Sequence, residues 1–162
     1  ISPSMDIQVS SNLERLLFER YGRDGAGVAA LMDEFRAERS VTIGTERLAQ
    51  VAEVFAGARF DDEETRAVIA SEYEHDDVLI DAHTAVGVGA ARACRRNPTV
   101  PMVALATAHP AKFPDAVEQA TGIRPELPDH LRDLFRRPER YETLPNDVDA
   151  VRDHLLATAA LG

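Results

Sequence analysis

The chain has 162 residues, a formal net charge of -10 and 44% hydrophobic residues, enough apolar side chain for one compact core. Such a surplus of carboxylates repels polyanions, which excludes a nucleic-acid surface and an anionic-membrane surface over most of the chain. Cys94 is the only cysteine, so an internal disulfide and a multi-cysteine zinc site are excluded; with no signal peptide and no long apolar span, the expected location is the cytoplasm, with no membrane partner.

The opening ISPSMDIQ carries no initiator Met and no targeting pattern, and it reads as a cut end. Ser11 and Glu14 form an S-x-x-E capping box, each able to satisfy a free backbone N–H at a helix start. Leu13, Leu16, Leu17 and Tyr21 follow at helical spacing and Gly22 stops the helix. Ser10, Ser11 and Asn12 could instead form a ligand-facing loop, but cap preference explains Ser11 without a ligand. A second helix is expected over residues 25–37 after an Asp24 cap, with Val28, Leu31, Met32 and Phe35 on one face and Met32 as core filler. A third, over 45–56, aligns Leu48, Val51, Ala52 and Phe55 and ends at Gly57. The fourth starts in the acidic run 61–64. There negative charge faces the positive end of the helix dipole and Asp61 with Glu64 makes a second capping box. The spacing of a calcium loop is absent, so these carboxylates read as caps and not as metal ligands.

Residues 78–80 read as a short strand, and Asp81 as the cap of a helix through HTAVGVGAARA whose glycines and alanines give one very small face. Gly87 and Gly89 are not a dinucleotide fingerprint, because Arg92 stands at the third glycine position and no acidic ribose partner follows. His83 suits either a satisfied structural histidine or an active-site donor. Cys94, in an alanine-rich segment, reads as a small buried core residue. After the turn residues Asn97 and Pro98 comes VPMVALATAHPAKF, the central stretch of the chain. Its apolar run reads as a strand buried on both faces, and it breaks into Thr107, His109 and Lys112 where ligands bind in open α/β sheets. Pro110 and Pro114 suit a first helical turn, and the helix should run to Gly122. Beyond it Pro125, Pro128, Pro138 and Pro145 punctuate a tail with a short helix over 129–135. A last helix starts at Asn146 or Asp147, and His130 and His154 lie on polar faces.

The expected fold class is therefore α/β but mostly helical. It comprises a helical segment 10–75, a strand/helix segment 78–122 and a wrapping helical tail 123–162. The strand candidates 41–43, 78–80 and 99–106 are too few for an independent doubly wound sheet, so they are expected to belong to a larger one.

No H-E-x-x-H spacing, G-x-S-x-G elbow or phosphate-cradling loop is present. Lys112 is the only lysine; as a lone cation near a helix start it suits a substrate phosphate or carboxylate, and equally a surface ion pair. Three stretches in order, PSMDIQVSSNLERLLFE, DAHTAVGVGAAR and ATAHPAKFPDAVEQATG, give the chain a resemblance to the carboxyl-terminal part of bacterial threonine synthases. The departures are Ala82 where that family usually has Pro and Leu13 where it usually has Phe. The resemblance implies a pyridoxal 5'-phosphate enzyme of the type II fold, which converts O-phosphohomoserine and water to L-threonine and phosphate. It puts the cofactor-bearing lysine and the cofactor-phosphate loop in an amino-terminal part of the same enzyme. That part is the expected partner, and the chain alone is expected to be inactive and to hold no catalytic residue of its own. Thr107 matches the family position whose hydroxyl faces the pyridine nitrogen. Asp81, His83, Thr84, His109 and Lys112 are further substrate or active-site candidates, and no metal is expected. The alternatives are a non-catalytic helical interaction module and another type II pyridoxal-phosphate enzyme. A module with a covered core would not expose a large apolar face.

Overall fold

A computed structural model of the chain describes residues 1–7 and 9–159. Gln8 of the PSMDIQVSSN stretch and residues 160–162 of the expected tail lie outside the described residues. The chain divides into two units, Ile1–Glu126 and Leu127–Gly162.

In the first unit a short 3-10 turn, Pro3–Met5, precedes α1 (Ser11–Arg20), α2 (Gly25–Glu38), α3 (Thr45–Ala52), α4 (Asp62–Asp76) and α5 (Ala82–Cys94). A second 3-10 turn, Pro110–Lys112, then leads into α6 (Pro114–Thr121). Local chemistry explains most of these boundaries. The Asp24 side chain accepts a hydrogen bond from the N–H of Gly27 and starts α2. Asp61 and Glu64 close a reciprocal capping box at α4. Gly22 and Gly122 adopt φ of 64° and 75° just past α1 and α6, a left-handed stop that glycine enters without strain.

The start of α1 differs from expectation. Its N-cap is Ser10, which makes no side-chain cap hydrogen bond, so the Ser11–Glu14 capping box does not form. Ser10 keeps extended backbone and its carbonyl accepts the N–H of Glu14, which places Ser11 already inside the helix, one position too late to cap it. Helix α3 is also shorter than its periodicity suggests: it ends at Ala52, and Leu48 and Phe55 are each 56% exposed. An apolar stripe holds a short helix only when it has something to pack on, and these two residues have little cover here.

The core of this unit sits where α4, α5 and α6 meet. Ile69, Ala82, Ala85 and Val117 are fully buried, with Val68, Leu79, Ile80 and Ala120 packed around them. The small face of α5 permits this packing. A Cβ added to the buried Gly89 would come within 2.7 Å of the Phe60 ring, whereas one at Gly87 meets nothing within 4 Å. A smaller contact joins α1 and α2 through Leu17, Val28, Leu31 and Met32, all buried. Cys94 is only half-buried at the end of α5, less enclosed than its alanine-rich surroundings imply.

The mostly helical expectation holds, and among the described residues no strand forms: 41–43, 78–80 and 99–106 are irregular or extended without ladder partners there. A strand exists through hydrogen bonds to a neighbour, and among the described residues none of the three finds one. The central stretch is poorly covered: Val103 is 78% and Leu105 75% exposed, while Val100 and Met102 are 54% and 48% exposed and Met102 and Ala104 share a shallow pocket with Val88, Ala91, Arg92 and Arg95.

In the second unit the short helix expected over 129–135 resolves into two 3-10 turns, Asp129–Leu131 and Leu134–Arg136. Helix α7 follows as Val148–Ala159, with the Asp147 carboxylate accepting from the N–H of Ala150 at 2.8 Å. His130 is exposed, and His154 is half-buried 3.6 Å from a carboxylate oxygen of Glu142.

Candidate functional site

The N-terminus of α5 is built around one buried carboxylate. Asp81 is fully buried and its Oδ1 accepts from the backbone N–H of His83 at 2.8 Å and lies 3.0 Å from His83 Nδ1. Its Oδ2 accepts from the backbone N–H of Thr84 at 3.3 Å and from the Thr84 hydroxyl in a short hydrogen bond. A buried carboxylate needs several donors to offset desolvation, and the first turn of a helix supplies them together with a favourable dipole.

His83 is satisfied on both ring nitrogens. Its Nε2 accepts from the backbone N–H of Ser4 at 3.2 Å, so the proton sits on Nδ1 and is donated to Asp81. The ring also lies 4.5 Å from that of Phe113, tilted by 51°. His83 is thus a structural link between the first 3-10 turn, α5 and the start of α6, and at the same time a wall of a cleft.

That cleft, about 150 Å³ in volume, is lined by Ser4, His83, Thr107, Ala108, Lys112 and Phe113. Thr107 reaches it at the end of the extended stretch, where its backbone N–H donates to the Thr84 hydroxyl at 3.2 Å. The HTAVG and TAHPAKF segments, 23 positions apart at this bond, therefore meet at one place. The Lys112 side chain is exposed at the cleft, its ammonium 5.9 Å from the centroid of the Phe113 ring. His109 turns away from it: exposed, it caps its own 3-10 turn by accepting the N–H of Ala111 on Nδ1 at 3.1 Å. Of the six residues singled out in the sequence, His83, Thr107 and Lys112 line the cleft, Asp81 and Thr84 support it from beneath, and His109 lies outside its lining.

Ser4 and Phe113 were not singled out as site residues. Ser4 meets His83 across 79 positions, a contact that no local periodicity can signal. Phe113 belongs to the motif already read, and its place between two prolines spaced for helix entry was the available hint.

The described residues hold no cluster of three or more His, Cys, Asp or Glu side chains suited to a metal ion, and no described helix is long and apolar enough to cross a membrane. A family model described as threonine synthase, C-terminal, matches residues 84–155. A threonine synthase from Pseudomonas aeruginosa is 50% identical over 153 residues, covering 94% of this chain and 33% of that protein. A threonine synthase from Corynebacterium glutamicum is 35% identical over 162 residues, covering 98% of this chain and 34% of that one. The crystal structure of threonine synthase from Brucella melitensis with pyridoxal phosphate bound superimposes with a TM-score of 0.79 at 47% identity, covering 95% of this chain and 33% of that one. The chain thus spans about a third of the length of the relatives it matches. On this agreement of sequence and fold, the chain belongs to the threonine synthase family and carries the family's carboxyl-terminal region.

Proposed function

We propose that this chain is part of a pyridoxal-phosphate-dependent lyase that converts O-phosphohomoserine and water to L-threonine and phosphate, and that it supplies one wall of the active site. The observation that carries the reading is the Thr107 N–H to Thr84 hydroxyl bond, which brings the HTAVG and TAHPAKF segments to a single cleft. The rest of the enzyme, including the cofactor-bearing lysine and the cofactor-phosphate loop, is the partner of this chain and completes its sheet. The uncovered apolar stretch 100–105 supports that view over a self-contained interaction module, since a covered core would not leave Val103 and Leu105 three-quarters exposed.

The residues at the cleft fit the cofactor. Thr107 is exposed there and carries an uncharged hydroxyl, which can meet a pyridine nitrogen without demanding that the nitrogen be protonated. When bound, pyridoxal phosphate supplies an electron sink for proton removal from the substrate carbon skeleton. The chain's own residues orient and bind. Thr107 would present its hydroxyl to the ring nitrogen of the bound cofactor. Lys112 offers a cation at the cleft to the phosphate or carboxylate of the substrate, and His109, near the same helix entry, is a second candidate for such an anion. Asp81, His83 and Thr84 hold the wall in place.

Purified alone, the chain is expected to release no phosphate from O-phosphohomoserine, while the complete protein containing it releases phosphate and threonine in equal amounts. Phosphate release by the isolated chain would overturn the half-site reading. Failure of the complete protein to form threonine would overturn the assigned reaction.

A further inference from the structure

We infer that Thr84 is a positioning residue for Thr107, acting as a hydroxyl relay from the buried Asp81 carboxylate to the backbone at the cofactor-facing position; this rests on the reading of Thr107 given above. The direction of each bond follows from the inventory of donors. Asp81 Oδ2 has only lone pairs to offer, so the single hydroxyl proton of Thr84 goes to it. The oxygen of Thr84 keeps its own lone pairs, and one of them accepts the N–H of Thr107 at 3.2 Å. A hydroxyl that donates to a carboxylate is polarised into a better acceptor, so the two bonds support each other.

Both supporting groups are buried, Asp81 at 0% and Thr84 at 4% exposure, whereas the residue they hold is exposed. The extended stretch before Thr107 has no ladder partner among the described residues, so the bond to Thr84 ties its far end to the buried start of α5. Thr84 is buried and does not line the cleft. Its effect on the reaction passes through where the Thr107 backbone sits.

The test uses the complete holoenzyme with Thr84→Val, Thr84→Ser and, in parallel, Thr107→Val. Thr84→Val removes the hydroxyl at nearly constant volume, and amide exchange at Thr107 is expected to speed up roughly three- to tenfold, the worth of one net hydrogen bond. Turnover, kcat, is expected to fall on the order of ten- to a hundredfold with KM little changed, as for a misplaced catalytic wall. The visible absorption of the bound cofactor should shift with it. Thr84→Ser keeps the relay and is expected to behave as wild type in all three readouts. If Thr84→Val does not accumulate as folded holoenzyme, Thr84→Ala is read in its place. Unchanged exchange at Thr107, or a Ser variant as impaired as the Val variant, would overturn the relay. Faster exchange with unchanged kcat and absorption also overturns the inference; a fall in turnover for Thr107→Val then leaves the reading of Thr107 standing, while a silent Thr107→Val removes both.

Discussion

Asp81 carries more of the local structure than any other side chain in the site, because four donors converge on one buried carboxylate. Asp81→Ala would strip the cap from α5 and leave the His83 Nδ1–H and Thr84 groups without their acceptor. A loss of about 2–4 kcal/mol is expected by urea unfolding, larger than for an exposed cap. Asp81→Asn keeps one acceptor oxygen but turns an NH2 donor towards two of the four donors, so it should cost less than Asp81→Ala while remaining destabilising. The two glycines of α5 give a second contrast. Gly89→Ala pushes a methyl into the Phe60 ring and is expected to destabilise by about 1–3 kcal/mol. Gly87→Ala meets open space in this chain and is expected to stabilise it by about 0.5–1 kcal/mol through helix propensity. Equal effects at the two positions would show that the small face is not what seats α5. Cap residues of this kind were readable in advance: Asp24, Asp61 and Asp81 each act within three positions of themselves, so the sequence contains the whole interaction. Ser10 and Ser11 were not separable, since two adjacent hydroxyls offer the same cap one residue apart and only the backbone decides between them.

At the scale of elements, α1, α2 and α4 keep their expected lengths and each has a partner for its apolar face, whereas α7 forms with Val148, Leu155 and Leu156 exposed. α4 packs on both α5 and α6, and its expected start at Asp61 is observed. α3, with a clear apolar stripe, loses its last turn where Phe55 has little to pack on. Periodicity marks which face wants burial; whether the chain provides the burying surface is a tertiary matter that a local reading cannot see. The same limit hid the contact between Ser4 and His83, which joins the first turn of the chain to α5. In the second unit the end of the 3-10 turn Leu134–Arg136 is held by Arg137, whose guanidinium donates to Asp133 and to the carbonyl of His130. The hydrogen bonds from Arg137 hold the Asp133 carboxyl below the usual aspartate value. A carboxyl whose folded value is depressed contributes stability above its unfolded value near 3.9 and loses it as the pH falls through the folded one. Carbon-13 titration of Asp133 should therefore show a midpoint below that of a model aspartate, moving back up in Arg137→Gln. A midpoint that ignores the substitution would remove the pair as the cause.

For the whole molecule, the decisive feature is the extended stretch ending at Thr107. Its composition announced a strand buried on both faces, and the described residues provide no ladder neighbour and leave Val103 and Leu105 three-quarters exposed. On the function proposed above, the composition records the surroundings this segment has in the complete enzyme, so it reads as core although the described residues leave it exposed. Val103→Asp separates the two settings. In this chain, where Val103 is 78% exposed, it should change stability by less than about 0.5 kcal/mol, as at other surface positions. In the complete enzyme, where the stretch is proposed to be buried, the same charge should destabilise by roughly 3 kcal/mol or more or prevent folding. Tolerance in both settings would contradict the larger sheet. The site was legible in the same uneven way: Thr107 stood out through motif resemblance and Lys112 as the chain's only lysine, and their meeting at one cleft over Thr84 needed the fold.

The most direct test of the site is the turnover of O-phosphohomoserine by the complete enzyme carrying Thr107→Val, with cofactor content measured on the same sample. The expected result is full cofactor occupancy with kcat reduced on the order of tenfold or more, because the variant loses the hydroxyl proposed to face the ring nitrogen while the proposed cofactor-bearing lysine is intact. Wild-type kcat and KM in that variant would contradict the placement of Thr107 against the cofactor.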